Sequence, residues 1–170
     1  VQGPCRWLTN VIVDVLEEHT RCSEILREWF RNIGRASWTS PSGLVVENHS
    51  YKKRDFKVRD VMRASEDTSE TDAGKTKRSL LPNFVQSLDA AALIEVVNRC
   101  DFDLVTSHDC FGALAPHLKT LHRDVREVFS ELFSRDLLAE FAEQMGIDTD
   151  TIPKRGVFDA RSVTHATYAF

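Results

Sequence analysis

A chain of 170 residues, 42% hydrophobic and 28% charged, is long enough to bury one sizeable core and too apolar for wholesale disorder. Its formal net charge of −4 does not mark it as a nucleic-acid binder. Glu17, Glu18 and His19 break the longest apolar stretch near the start, so nothing approaches the ~20 residues of a bilayer span. No basic segment followed by an apolar one opens the chain, and Cys5, Cys22, Cys100 and Cys110 form no C-x-x-C pair. These features argue against secretion, a disulfide framework and a zinc ribbon, and for a reducing interior. A single unit over residues 1–170 is expected.

Taken in chain order, Leu8, Val11, Ile12, Val15, His19, Cys22, Leu26, Trp29, Phe30 and Ile33 recur at three- and four-residue steps and predict a long amphipathic helix capped by Gly34. Pro41-Ser42-Gly43, between Trp38 and Leu44-Val45-Val46, predicts a β-hairpin. Lys52, Lys53, Arg54, Lys57, Arg59 and Arg63 face only Asp55 and Asp60 in their interval. They make a local basic stretch suited either to a phosphate backbone or to a solvated hairpin edge. Residues 64–79 are polar without a period and predict a mobile surface loop.

Pro82 suits the first turn of a second helix, whose buried face runs through Phe84, Leu88, Ala91, Ala92 and Val96 towards Cys100. Residues 102–108 then predict a short buried strand, entering a turn at Asp109-Cys110-Phe111-Gly112. Leu118, Leu121, Val125, Val128, Phe129, Leu132 and Phe133 mark a third helix, and Leu137, Leu138 and Phe141 an adjoining fourth. Beyond Gly146 the spacing decays into a tail ending Tyr168-Ala169-Phe170, and no internal repeat is visible.

A carboxylate at a strand end beside a tight turn can point into a cleft from fixed backbone, which phosphoryl transfer by two divalent ions requires. Asp109 has that placement, although a turn aspartate capping local N–H groups has the same local sequence. His108, Cys110, His117 and His122 repeat no standard zinc spacing. Trp7, Trp29 and Trp38 suit core or hairpin packing better than base stacking.

Two ordered motifs add a resemblance. Leu81-Pro82-Asn83-Phe84-Val85-Gln86-Ser87-Leu88-Asp89 resembles the Pro-Asn-Phe-Val-His-Ser-x-Asp segment of single-subunit, bacteriophage-type DNA-directed RNA polymerases. About twenty residues on, His108-Asp109-Cys110-Phe111-Gly112 is similar to their His-Asp-Ser-Phe-Gly. Trp38 to Leu44, Asp72-Ala73-x-Lys75, Arg126-Glu127 and the aromatic terminus match further family segments, so the resemblance covers roughly residues 36–170.

The resemblance implies an α/β, more narrowly α+β, fold: the C-terminal part of a right-hand polymerase palm and fingers, with long helices on a small antiparallel sheet. It implies that Asp109 is the second of two metal-binding aspartates and that two Mg²⁺ ions serve transfer of ribonucleotides to an RNA 3′ end. His108 and Gln86 are the implied nucleic-acid contacts, and a buried imidazole satisfied by backbone is an equal reading of His108. Gln86 stands where relatives carry His and keeps a donor and an acceptor without the cation. Cys110 replaces the motif's Ser.

Implied partners are a DNA template, nascent RNA, ribonucleoside triphosphates and the rest of a longer polymerase chain, without a membrane. The implied setting is the cytoplasm of a phage-infected or plasmid-bearing cell, or an organelle. No first aspartate and no Lys/Tyr nucleotide-holding helix has a match here, so a fragment of a longer enzyme, inactive alone, is expected. The alternatives are a non-catalytic nucleic-acid-binding remnant of a palm, or a related DNA polymerase palm.

Overall fold

A computed structural model describes residues 24–34, 36–58, 62–107, 110–154, 156 and 158–165. Helix α1 is helical through residues 24–33, and Gly34 follows with φ +78°, the left-handed conformation expected of its cap. The expected N-terminal part of that helix, with Trp7, Cys5 and Cys22, lies outside the described residues.

Strands β1 (Ala36–Thr39) and β2 (Val45–Asn48) form the first predicted hairpin, with Trp38 opposite Val46. Its turn closes through hydrogen bonds from Gly43 N to the Ser40 carbonyl (2.9 Å) and from Ser40 N to the Leu44 carbonyl (2.8 Å). Gly43 supplies φ +87°, which a side chain would resist.

Two expectations fail in the next segment. Residues 64–79 are not a loop: β3 (Tyr51–Val58) and β4 (Met62–Thr71) pair as an antiparallel ribbon, and α2 begins at Ala73. No described side chain of the ribbon is buried, so there was no apolar alternation to betray a strand. Helix α2 (Ala73–Arg99) starts at a cap in which Asp72 Oδ1 accepts from Lys75 N at 2.9 Å. Pro82 therefore lies inside the helix rather than in its first turn, exposed on the outer side. Thr76 and Leu80, buried before it, hold the earlier turns to the body.

Strands β5 (Leu104–Ser107) and β6 (Cys110–Ala113) make a third hairpin, with Ser107 opposite Cys110. Cys110, Phe111 and Gly112 are thus strand residues, not the turn expected of them. Phe111 pairs with Thr106 and turns its ring towards the core, which carries the strand through this segment. Helices α3 (Leu118–Ser134) and α4 (Leu137–Met145) follow as expected, then short 3₁₀ turns at Thr149–Thr151 and Ala160–His165, the latter lying on α3. The terminal Tyr168-Ala169-Phe170 lies outside the described residues.

The described residues are α+β, and in place of the expected single antiparallel sheet they form three separate two-stranded hairpins. Two apolar clusters hold them together, and α2 runs through both. Its first half contributes Leu80, Phe84 and Leu88 to a cluster with Phe30, Trp38 and Phe141. Its last turns contribute Val96 to a second cluster with Leu121, Val125 and Val128 of α3. In the first, Phe30, Phe84 and Phe141 lie 5.0–5.5 Å apart between ring centroids, and the Trp38 indole N–H donates to Ser87 Oγ at 3.1 Å. Gln144 ties α4 to the hairpin edge by exchanging two hydrogen bonds with the backbone of Thr39.

Candidate metal and nucleic-acid site

The β5–β6 hairpin is anchored at its base. Leu104, Phe111 and Ala113 lie against Val96, Leu121, Val125 and Val128, whereas Ser107 and Cys110 are exposed. Two positions, 108 and 109, join these strands. His108 and Asp109 themselves lie outside the described residues. The described part of the hairpin is fixed at its base by apolar packing from two helices.

Gln86 is exposed on α2, between Phe84 and Ser87, which are buried. The outer face it shares with Val85 and Asp89 is open to solvent. Val96, where the β5–β6 hairpin is seated, lies about 15 Å further along the helix at the usual rise per residue. Gln86 and the hairpin base therefore sit on one rigid element without touching.

Charged groups cluster behind the hairpin. Arg99, ending α2, pairs with Glu127 and Glu131 of α3, and its hydrogen bond to Glu131 raises its pKa further. Asp124 is buried and accepts from Arg123 Nε (3.0 Å) and Nη2 (2.8 Å). Burial pushes the Cys100 thiol above its ordinary range, and nearby Asp124 adds to the shift. His117 stacks on Phe102, centroids 4.6 Å apart. Among the described residues no three His, Cys, Asp or Glu side chains converge to hold a metal.

The basic stretch is answered by acids that linear sequence hid. Across the ribbon, Lys52 meets Glu70 at 2.9 Å, and Lys53 meets Asp67 and Arg54 meets Glu66 at 4.0 Å. Its root is thus charge-compensated. Towards the tip, Lys57 stands directly opposite Arg63, a like-charge pair that the strand register forces together.

Sequence reasoning passed over Asn48 and Asp124, both almost fully buried. Neither carried a readable signal, because a polar residue's burial depends on partners distant in the chain.

The described surface thus presents a hairpin seated on two helices, an open face of α2 and a ribbon whose described side chains are not buried. The family model for DNA-dependent RNA polymerase matches residues 5–148, and the chain belongs to that family, in its phage-type single-subunit form. It is 26% identical to the mitochondrial DNA-directed RNA polymerase 1 of Arabidopsis thaliana, over 96% of this chain and 19% of that protein. It is 25% identical to the DNA-directed RNA polymerase of Pseudomonas phage phiKMV, over 92% of this chain and 21% of that one. A probable DNA-directed RNA polymerase of Agaricus bitorquis is 32% identical over 59% of the chain. The chain spans about a fifth of the length of the first two relatives.

Proposed function

We propose that this chain is the C-terminal palm portion of a DNA-directed RNA polymerase, in which Asp109 binds catalytic metal for template-directed transfer of ribonucleotides to an RNA 3′ end. The observation that carries the reading is the family match over residues 5–148, coinciding with a hairpin whose two connecting positions are His108 and Asp109. Membership alone concerns the family; the packed base of the described hairpin supports the reading of a carboxylate held still.

The donor chemistry fits Mg²⁺, a hard cation that takes carboxylate oxygens and needs them held still. Asp109 is the residue here that would hold it, as one ligand of a set completed from elsewhere in a longer polymerase. Bound Mg²⁺ would lower the pKa of the attacking hydroxyl and neutralise the leaving pyrophosphate. The chain's own contribution is positional. Leu104 and Phe111 fix the hairpin base, Arg99 ties α2 to α3 beneath it, and Gln86 presents both an amide donor and an acceptor to a base edge.

A DNA template, nascent RNA and ribonucleoside triphosphates follow as partners, in a phage-infected or plasmid-bearing cell or an organelle. The ribbon is a second contact for nucleic acid. Between Phe56 and Ala64 the basic residues Lys57, Arg59 and Arg63 outnumber Asp60, and an anionic partner would relieve the Lys57–Arg63 opposition.

The test is Asp109→Asn in the full-length polymerase that carries these residues. Transcript formation is expected to fall by at least about a thousandfold, the order seen when a charge-stabilising group is removed. DNA affinity and thermal unfolding should stay close to wild type. A turn-capping aspartate gives the opposite pattern, lower stability with turnover per folded molecule intact.

A further inference from the structure

The β3–β4 ribbon joins the rest of the molecule at its root. No described side chain of either strand is buried, and the strands pack broadly only on each other. Its direction is therefore set where the two strand ends meet α2. Asp72 N donates to the Ser50 carbonyl at 2.7 Å, tying one strand end to the other, and Ser50 N donates to Thr76 Oγ1 at 3.0 Å. Behind these bonds lies Asn48, 1% exposed. Its Nδ2 donates to the Thr76 carbonyl at 2.9 Å, and its Oδ1 accepts from Ser79 Oγ at 3.0 Å and Asn83 Nδ2 at 2.7 Å.

A buried amide is costly unless its partners are in place, so this group of bonds is favoured only when formed as a whole. Apolar packing would fill the same space without fixing an angle, whereas three bonds to one helix define both distance and rotation. Asn83 also lies one turn before Gln86 on α2, so the same amide references the ribbon to the face that carries Gln86.

We propose that Asn48 is a positioning residue that sets the angle between the ribbon and α2, so that the ribbon tip and the Gln86 face meet one nucleic acid together. The nucleic-acid part rests on the function proposed above; the angle-setting part rests on the hydrogen bonds alone.

The experiment uses the 170-residue chain with spin labels on ketone-bearing unnatural residues at positions 65 and 89, both exposed. Three variants are compared. Thr76→Val keeps the shape and removes the hydroxyl, Thr76→Ser restores it, and Asn48→Asp keeps the acceptor while losing the donor. Thr76→Val and Asn48→Asp should broaden the 65–89 distance distribution. They should also speed exchange of the Ser50 and Asp72 amides about tenfold, with the Val128 and Phe141 amides unchanged. Thr76→Ser should behave as wild type.

Unchanged widths and exchange in both Thr76→Val and Asn48→Asp overturn the proposal, and so does exchange that rises equally in the core, the mark of general destabilisation. DNA binding by a Lys57→Ser, Arg63→Ser double variant is measured alongside. If that variant binds as wild type while Asn48→Asp loosens the ribbon, the angle-setting role stands and the nucleic-acid role falls. If it binds more weakly while Asn48→Asp and Thr76→Val leave the ribbon's distances fixed, the nucleic-acid role stands and Asn48 does not set the angle.

Discussion

Phe141 meets the rings of Trp29, Phe30, Trp38 and Phe84, from α1, the first hairpin and α2, and is 1% exposed. Its removal leaves a cavity bordered by rigid rings that cannot collapse into it. Phe141→Ala is therefore expected to cost about 3–5 kcal/mol in urea unfolding, against less than about 0.5 kcal/mol for Val105→Ala on the open hairpin face. The aromatic members of this core were legible in sequence, since Trp38, Phe84 and Phe141 each fell on a patterned segment. Asn48 was not. Its partners Thr76, Ser79 and Asn83 lie some thirty positions downstream, and no local pattern reports bonds formed across that separation. The assignment of Asp109 rests on its motif neighbours, and its own surroundings lie outside the described residues.

At the scale of elements, periodicity located α3 and α4 and misjudged whatever lacked an apolar stripe. Helix α2 was placed late because its early turns are polar and Pro82 looked like a beginning. The cost of that proline can be measured. Inside a helix it withholds a donor from the Arg78 carbonyl and crowds the preceding turn. Pro82→Ala is expected to stabilise the chain by about 1–3 kcal/mol in urea unfolding, the lower end applying if α2 already accommodates the ring. Asp72→Ala should cost about 1 kcal/mol by uncapping Lys75 N. If Pro82→Ala destabilises instead, the ring is holding a shape of α2 that an unbroken helix does not have. The ribbon was missed for a related reason: exposed on both faces, it is specified by cross-strand partners rather than by burial. Its ion pairs are exposed and individually worth little, so replacing Glu66 and Asp67 with Gln should leave unfolding nearly unchanged. The same double change should tighten DNA binding and steepen its salt dependence, as measured by titration across a salt series.

For the whole molecule, the question is what one hairpin and one carboxylate can accomplish without the remaining four fifths of the length seen in relatives. The described residues offer no converging metal ligands, and in the proposed site Asp109 would supply one carboxylate to an ion that prefers six oxygens. A one-carboxylate site leaves Mg²⁺ mostly hydrated and free to exchange, so calorimetric titration of the 170-residue chain should show no saturable binding below about millimolar concentration. Without a second ligand set to hold the attacking and leaving oxygens together, positioning is lost as well as charge, and both contribute to phosphoryl transfer. The purified chain is therefore expected to extend no RNA primer on a DNA template with either Mg²⁺ or Mn²⁺, while the full-length polymerase extends it under the same conditions. Extension by the chain alone that Asp109→Asn abolishes would mean that these 170 residues carry a complete site, with ligands among the positions flanking the β5–β6 hairpin. Extension that survives Asp109→Asn, and that persists in chain purified a second way to exclude a contaminating polymerase, would overturn the metal-binding role of Asp109.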